Sequence, residues 1–277
     1  METRELAYFV AVAEELHFGR AAQRLGMAQP PLSRAIQQLE RRMGVLLLER
    51  TSRGVSLTPA GAVFLAESRK ALDAVDAAVR RAQRAGHEVP RLLVAMKPDG
   101  DAGLLDRILP GYRADPDAVD VEIVVGGIGE QARMLRDGRV DLAFLHGPHD
   151  DLAGFDTELL LEQDQVAMLS RGHRLAGRAA LALADLEGEP LPRWPGSDVA
   201  GPEIRDPGQL LQLVALGQVV AVVPESARRH ARPDVVCVPV LDAPRTSVLL
   251  AWPDRTRSRA VAAFVRASTD ASSPALP

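Results

Sequence analysis

The feature that most constrains the fold is a long helical segment that begins about a fifth of the way along the chain. No glycine lies between Gly61 and Gly86, and no proline follows Pro59 within this stretch. The stretch is rich in Ala, Leu, Arg and Glu, which favour helix. A lone helix of this length is marginal in water and needs a partner surface. The sequence therefore predicts a linker helix over residues 59–87 that separates two differently built parts.

Apolar and small residues recur along this helix at alternating spacings of four and three. The repeat comprises Gly61, Leu65, Ser68, Leu72, Val75, Val79 and Ala82. Such a heptad pattern over about three repeats predicts a seam against another helix. Packing of the helix on its own domain is the alternative that the pattern leaves open.

Three short helices are predicted before the linker, over residues 3–15, 20–25 and from about residue 30 to 42. Thr3 is the expected cap of the first helix, and Gly44 closes the third. On a helical wheel the third helix has a buried sector and an opposite exposed one. The buried sector comprises Leu32, Ile36, Leu39 and Met43. The exposed sector comprises Pro30, Arg34, Gln37 and Arg41, with Ser33 on its flank.

This exposed sector carries side chains that read DNA. Arginine pairs bidentately with guanine and glutamine with adenine, and a good pair contributes about 1–3 kcal/mol of discrimination. A merely solvated helix face is the alternative, but two short helices, a tight turn and a third helix with this face favour DNA binding. A two-stranded wing follows, in which Arg50 and Arg53 are placed to touch phosphates. Residues 1–58 thus read as a winged helix-turn-helix domain.

The first 66 residues resemble the DNA-binding region of LysR-type transcriptional regulators. The resemblance rests on the segments LAYFVAVAEE, AAQRLGMAQPPLSRAIQQLE and MGVLLLERTSRGVSLTPAG and on their spacing. Gly19 stands where Ser or Thr often caps the second helix, and Leu48 where Phe is usual. The resemblance implies DNA contacts through Gln29, Pro30, Pro31, Ser33, Arg34, Gln37 and Arg53, to which the exposed Arg41 and Arg50 are added.

The family resemblance also implies that the linker seam joins two subunits. We then expect dimerisation through Leu65, Leu72, Val75 and Val79, and a homodimer or a homotetramer. A dimer places two reading helices against a two-part site in double-stranded promoter DNA.

The pattern of predicted elements changes after a predicted hinge at residues 86–90. Apolar runs and helical segments alternate as strand, helix, strand, helix, strand, which predicts a parallel sheet. Ligands of such sheets bind at the carboxyl ends of the strands. These ends supply candidate effector-binding residues, namely Lys97, Pro98, Asp99, Gly127, Ile128 and His146.

A second unit begins near residue 164, and the order of elements resembles the LysR-type effector domain. That resemblance implies an α/β fold of two lobes like periplasmic binding proteins, with LRDGRVDLAF and VALGQVVAVVPES as the best-matching segments. Lobe I is predicted over residues 91–163 plus approximately 253–268, and lobe II over 164–252. The segment from Trp194 to Asp206 is short, so lobe II is expected to be trimmed. Residues 269–277 are expected to form a disordered tail.

Lys97, one of two lysines in the chain, is expected to face the cleft, with Arg193 and Trp194 opposite. Together they suit a carboxylate on an apolar or aromatic body; a surface lysine beside a turn is the alternative. His146 and His149 flank a Gly-Pro pair, where a metal site and pH sensing are weighed against plain solvated loop residues. We expect no metal and no cofactor, and the small-molecule effector stays unidentified.

Composition narrows the remaining classes. Residues 1–85 hold 13 basic and 9 acidic side chains, and the rest of the chain is acidic, which suits a polyanionic partner for the front part. No enzyme motif such as GxSxG, GxGxxG, a Walker loop or HExxH occurs, so we expect no catalytic residues. The single Cys237 is expected to be a buried thiol. With neither a leader nor an 18-residue apolar run, we expect a cytoplasmic protein without membrane contact.

Two other binding classes compete with the regulator hypothesis. A pure solute-binding protein would explain residues 91–265 but not the basic helical front. A helix-turn-helix used only for protein contact is the other alternative, and DNA binding that falls steeply with salt would exclude it.

Overall fold

The computed structural model describes residues 1–51, 54–86, 89–197 and 200–272. The chain divides into two compact units, Met1–Gln83 with Arg136–Gly138 and Arg84–Leu135 with Arg139–Pro277. Each unit is described in turn.

The first unit contains three short helices, a two-stranded wing and a long helix. Its elements are α1 (Thr3–Glu15), α2 (Phe18–Arg24), α3 (Gln29–Met43), β1 (Leu48–Thr51), β2 (Gly54–Leu57) and α4 (Pro59–Ala85). Strands β1 and β2 pair antiparallel, with Leu48 opposite Leu57. The core joins α1, α2, α3 and β1 through fully buried side chains that include Phe9, Leu32, Ile36, Leu39 and Leu47. A winged helix-turn-helix is confirmed in this unit.

The caps of these helices differ from the predicted ones. The N-terminus of α1 is capped by a capping box of Glu2 and Glu5 rather than by Thr3. Helix α2 begins at Phe18, two residues earlier than predicted, because the His17 imidazole caps it. His17 Nδ1 accepts hydrogen bonds from the backbone N–H groups of Gly19 at 3.0 Å and Arg20 at 3.1 Å. The missing Ser or Thr at position 19 is thus offset by the histidine two residues earlier.

Helix α4 extends over 27 residues, and its predicted heptad divides into two parts. Leu65 packs against the core of the helix-turn-helix, so this position serves its own domain. Val75 and Val79 are exposed by 42% and 51%. The C-terminal part of the predicted seam, at Val75 and Val79, therefore exposes an apolar face. Its N-terminal part, at Leu65, packs on the helix's own domain, which was the alternative to a seam between subunits. Of the predicted linker range, residue 87 lies outside the described residues.

The second unit has two lobes, and lobe I is built on a five-stranded mixed sheet. Its strands are β3 (Arg91–Met96), β4 (Asp120–Val125), β5 (Leu142–Gly147), β6 (Phe155–Gln163) and β10 (Thr246–Pro253), in the order β4-β3-β5-β10-β6. Strand β3 is parallel to β4 and β5, as predicted, and β10 is antiparallel to β5 and β6. Helices α5 (Leu105–Arg113), α6 (Gln131–Arg136) and α8 (Arg259–Ser272) complete the lobe.

Lobe II is smaller and its sheet is antiparallel. Strands β7 (Gln165–Ser170), β8 (Ala221–Pro224) and β9 (Val235–Val240) lie in the order β8-β7-β9. Helix α7 (Pro207–Ala215) packs on the sheet, and 3₁₀ turns cover Leu183–Leu186 and Glu225–His230. Cys237 is buried in this core, where burial raises the pKa of its thiol. In the segment where a helix was expected to be missing, the described residues 195–197 and 200–206 contain no helix.

Two predicted boundaries were wrong. Strand β10 belongs to lobe I, so lobe II ends before Thr246 rather than at residue 252. The antiparallel pairing of β10 between β5 and β6 satisfies its backbone in lobe I, and β6 itself was not predicted. Helix α8 continues to Ser272, four residues into the expected tail; residues 273–277 lie outside the described residues.

Candidate functional sites

The predicted reading helix exposes the side chains expected of it. Gln29, Pro30, Pro31, Arg34, Gln37 and Arg41 are exposed, and Ser33 is half-buried. Leu32, Ile36 and Leu39 are buried at 0–1% exposure and fix α3 to the domain core. The structure therefore brings the predicted contacts on α3 to one face. Arg53 lies outside the described residues, as does the side chain of Arg50 in β1.

Ion pairs separate the arginines of this unit into two groups. Arg20 pairs with Glu15, Arg24 with Glu14 at 2.7 Å, Arg42 with Glu5 at 2.6 Å and Arg69 with Glu14 at 2.7 Å. These carboxylates neutralise their partners. Within the described part of the chain, Arg34 and Arg41 pair with no carboxylate. Arg34 Nε reaches only the Pro30 carbonyl, at 3.5 Å. The unneutralised cations of α3 thus lie on the predicted reading face.

Sequence reasoning missed the residue that joins α3 to the wing. Glu40 is 7% exposed, and its Oε1 accepts hydrogen bonds from the backbone N–H groups of Leu47 at 2.9 Å and Leu48 at 3.1 Å. A buried glutamate on an otherwise apolar sector was the signal that could have revealed it. Gly61 also matters here, because a Cβ at this position would overlap the Leu47 carbonyl oxygen.

A cavity of about 210 Å³ lies between the two lobes of the second unit. Lobe I lines it with the ends of β3 and β5, and lobe II with α7, β8 and the turn after β8. The apolar side chains on its wall are Pro98, Ile128, Met168, Trp194, Pro195, Pro207, Leu210, Leu211, Val222, Val223, Pro224 and Ala227. The polar lining comprises Lys97, Asp99, Gln131, His146, His149, Asp150, Gln165, Ser226, His230 and Thr246. The cavity therefore combines an apolar body with a few polar groups, as small-molecule sites do.

Among the residues that the structure describes, Lys97 is the only lysine or arginine that lines the cavity. Its ammonium group forms no hydrogen bond or ion pair with any residue that the structure describes. Burial lowers the pKa of Lys97, and the attraction of the Asp150 carboxylate partly offsets that effect. Asp150 itself is engaged, since its Oδ2 accepts a hydrogen bond from the His146 backbone N–H at 2.7 Å. Lys97 thus presents an ammonium group to the cavity for an anionic ligand.

Two of the histidines that line the cavity, His146 and His149, are neutral near pH 7. Burial, and then the Lys97 charge, lowers the pKa of His146 to about 3. The same two causes, in the same order, lower the pKa of His149. No group of three metal-ligating side chains occurs among the described residues. The pair therefore adds neutral polar groups to the cavity.

Polar side chains also lie where the chain passes between the lobes. Gln163 Oε1, at the end of β6, accepts from the Ser226 backbone N–H at 2.9 Å, and Gln165 Nε2 donates to the Pro244 carbonyl at 2.7 Å. Thr246 is 1% exposed and lines the cavity. None of the described residues forms a hydrogen bond with its hydroxyl.

Six of the eight predicted effector-binding residues line this cavity, namely Lys97, Pro98, Asp99, Ile128, His146 and Trp194. Gly127 and Arg193 do not. The Gly127 backbone N–H donates to Glu130 Oε2 at 2.8 Å, beside the cavity. Arg193 pairs with Glu203 at 2.6 Å, so its charge is satisfied within lobe II. Among the polar lining, sequence reasoning missed Gln131 and Asp150, which lie close to the predicted strand ends of lobe I, and Gln165, Ser226, His230 and Thr246, which come from later parts of the chain.

Two family models match the chain. The model described as bacterial regulatory helix-turn-helix protein, lysR family, matches residues 3–62. The LysR substrate binding domain model matches residues 85–273. One model thus falls on the reading helix and its wing, and the other on both lobes and the cavity. No helix among the described residues combines the length and apolarity that a membrane crossing requires.

Individual relatives extend this similarity over the whole chain. The HTH-type transcriptional regulator BudR of Raoultella terrigena is 33% identical and covers 96% of this chain and 99% of its own. AlsR of Bacillus subtilis is 38% identical over 69% of this chain and 63% of its own. The structure of full-length CbnR complexed with its target DNA superposes with a TM-score of 0.54 at 25% identity, covering 99% of this chain and 100% of that chain.

Proposed function

This chain belongs to the LysR family of bacterial DNA-binding transcriptional regulators, and we propose that α3 reads its promoter through Ser33, Arg34 and Gln37. The observation that carries this proposal is the pairing of charges on α3. Arg42 is neutralised by Glu5, while Arg34 and Arg41 keep their full charge on the exposed face. An arginine without a carboxylate partner loses no ion pair when it engages a guanine edge or a phosphate.

We further propose that the effector is a small anion that binds in the cavity between the lobes. Lys97 supplies the cation, and the apolar wall with Trp194 receives the body of the molecule. A ligand that touches both lobes binds one lobe arrangement better than another, and only such differential affinity can alter DNA binding. We assign effector binding to Lys97, Pro98, Asp99, Ile128, His146 and Trp194.

We also propose that the protein assembles through α4 and acts in the cytoplasm. We place a subunit contact on the exposed part of the α4 seam, at Val75 and Val79, since unpaired valines on a long helix favour a helical partner. The active species is then a homodimer or a homotetramer. The protein acts in the cytoplasm, where its promoter lies, and the cleft binds its ligand without chemical conversion.

A DNA titration with matched variants tests the reading assignment. Purified protein is titrated against the DNA upstream of its own gene and against a scrambled sequence, at several salt concentrations. Arg34→Ala is compared with Arg42→Ala, which removes an exposed arginine from the same helix. We expect Arg34→Ala to weaken binding to the specific site by about tenfold and Arg42→Ala to change it little, because Glu5 already neutralises the Arg42 charge.

The outcomes separate the possible errors. Selective binding that Arg34→Ala and Arg42→Ala weaken equally would contradict the assignment of Arg34. Without selectivity for this DNA, a genome-derived fragment library decides between a distant operator and a failed proposal. If the library also yields no site, the DNA-reading proposal is wrong and a binding role for the cleft alone takes its place.

A further inference from the structure

The Thr246 hydroxyl is a buried polar group without a protein partner. Thr246 begins β10, is 1% exposed and faces the cavity, and no described residue accepts or donates a hydrogen bond at its Oγ1. Buried hydroxyls are nearly always hydrogen-bonded in folded proteins, because a buried hydroxyl without a partner loses the hydrogen bonds that it makes to water when exposed. The hydroxyl therefore marks a point where the cavity has an unmet polar requirement.

The surrounding amides do not meet this requirement. Gln165 Nε2 is held by the Pro244 carbonyl, and Gln163 Oε1 by the Ser226 backbone N–H. Both contacts link lobe II to the strands that return to lobe I, so these side chains have structural roles. Gln163 Nε2 also has no hydrogen-bond partner among the described residues, but Gln163 does not line the cavity. Thr246 does line it, and its hydroxyl can both donate and accept.

Lys97 is the second open polar group, on the end of β3. Among the described residues Lys97 is the only lysine or arginine in the lining, which also holds the Asp99 and Asp150 carboxylates, so the lining offers at most one cation to a ligand. A dianion would leave one charge in the cleft without a cation, at a large desolvation cost. The part of the ligand that contacts Thr246 is therefore uncharged.

The cavity size limits the body that joins these two groups. A dry apolar cavity of about 150 Å³ holds benzene. By proportion, about 210 Å³ holds eight or nine non-hydrogen atoms. The walls between the polar groups are Leu, Ile, Val, Met and Trp side chains, which favour an apolar body.

We propose that the cleft ligand is a small monocarboxylate that bears one further neutral oxygen, as a hydroxyl or a carbonyl. Its carboxylate pairs with the Lys97 ammonium, and its second oxygen forms a hydrogen bond with Thr246 Oγ1. This inference rests on the proposed function of the cleft as the effector site. Because Thr246 lies where the chain re-enters lobe I, the second oxygen touches the connection between the lobes, whereas the carboxylate touches lobe I.

Two probe series with a scanned oxygen position test this inference by calorimetry on the full-length protein. One series is pentanoate with 2-, 3- and 4-hydroxypentanoate, and the other is hexanoate with 2-, 3- and 4-hydroxyhexanoate. Pentane-1,4-diol lacks the carboxylate. We expect one hydroxy acid to bind about tenfold more tightly than its parent acid, and the diol to bind at least tenfold more weakly than the best acid.

Variants assign the two contacts. Thr246→Val keeps the shape of the side chain and is expected to abolish the preference for the hydroxy acid over its parent acid. Thr246→Ser restores the hydroxyl and should restore the preference. Lys97→Met should weaken both acids by at least tenfold. Thermal unfolding of each variant verifies that the fold is retained.

The failures are distinguishable. A hydroxy-acid preference that survives in Thr246→Val overturns the role of Thr246, and diol binding equal to that of the acids overturns the carboxylate assignment. In both cases the cleft still binds ligands and the proposed function stands. If no compound of either series binds, the ligand class is wrong, while the DNA titration with Arg34→Ala decides the regulatory function separately.

Discussion

Glu40 Oε1 accepts a hydrogen bond from the Leu47 backbone N–H at 2.9 Å, which ties the reading helix to the strand of the wing. The same oxygen serves the Leu48 N–H, so one buried carboxylate satisfies two donors. Removal of Glu40 leaves both donors buried and unpaired.

We therefore expect Glu40→Ala to destabilise the helix-turn-helix unit by about 1–3 kcal/mol, the cost of unsatisfied buried groups. Glu40→Gln retains an amide oxygen and should cost less. Urea unfolding followed by circular dichroism measures the difference, with the exposed Glu49→Ala as a control. Equal stability of Glu40→Ala and Glu49→Ala would show that the two hydrogen bonds contribute nothing net.

Gly61→Ala tests the close approach of α4 to the wing. A Cβ at position 61 would overlap the backbone oxygen of Leu47, and backbone atoms cannot move aside cheaply. The expected loss is about 1–3 kcal/mol or more in the free energy of unfolding. Gly177→Ala is the matched control, because no atom lies within 4 Å of its added Cβ. Similar unfolding midpoints for the two variants would contradict the close approach.

Arg41→Ala tests whether the second unpaired arginine of α3 meets the phosphate backbone. We expect weaker binding to specific and scrambled DNA alike, and a salt dependence with a slope smaller by about one. Arg34→Ala is expected to act mainly on the specific site. Filter binding or fluorescence anisotropy over a range of salt concentrations separates the two patterns. An unchanged salt slope in Arg41→Ala would remove this residue from the DNA contacts.

His146 makes stability depend on pH. Its pKa falls from 6.5 to about 3 in the folded protein, mainly through burial, so the unfolded chain binds a proton that the folded protein does not. Its contribution is therefore favourable above pH 6.5 and is lost as pH falls towards 3. Between pH 7 and pH 5 this amounts to about 2 kcal/mol.

His146→Gln, which cannot titrate in this range, checks the assignment. The variant should lose less stability than the parent between pH 7 and pH 5 when both are unfolded in urea. Parallel pH profiles for the two proteins would mean that another group causes the acid sensitivity.

Much of the helix-turn-helix followed from the sequence because its signals are local. Helical spacing placed Leu32, Ile36 and Leu39 inward and Arg34 outward, and Gly44 ended α3 in the left-handed conformation. The His17 cap was missed because an imidazole is an uncommon acceptor at that position, and its role depends on the ring reaching two backbone N–H groups.

The cleft was predicted in part, for a physical reason. Lys97 and His146 follow buried strands, so the rule for strand ends located them from sequence alone. Thr246 and Ser226 lie more than 70 residues away along the chain, and only the return of β10 into lobe I brings Thr246 to the cavity. Arg193 was misjudged because its partner Glu203 is ten residues away, across an irregular segment without a periodic pattern.

The pairing of β6 with β10 has a consequence for how this protein tolerates change. Gln163 lies opposite Thr246, so the chain leaves lobe I and returns to it at neighbouring points of one sheet. Lobe II is therefore a module inserted into lobe I, and its entry and exit are fixed whatever its internal length. Deletions inside the module shorten it without shifting the register of the host sheet. Grafting a lobe II from another family member between these two strands should therefore preserve the fold of lobe I.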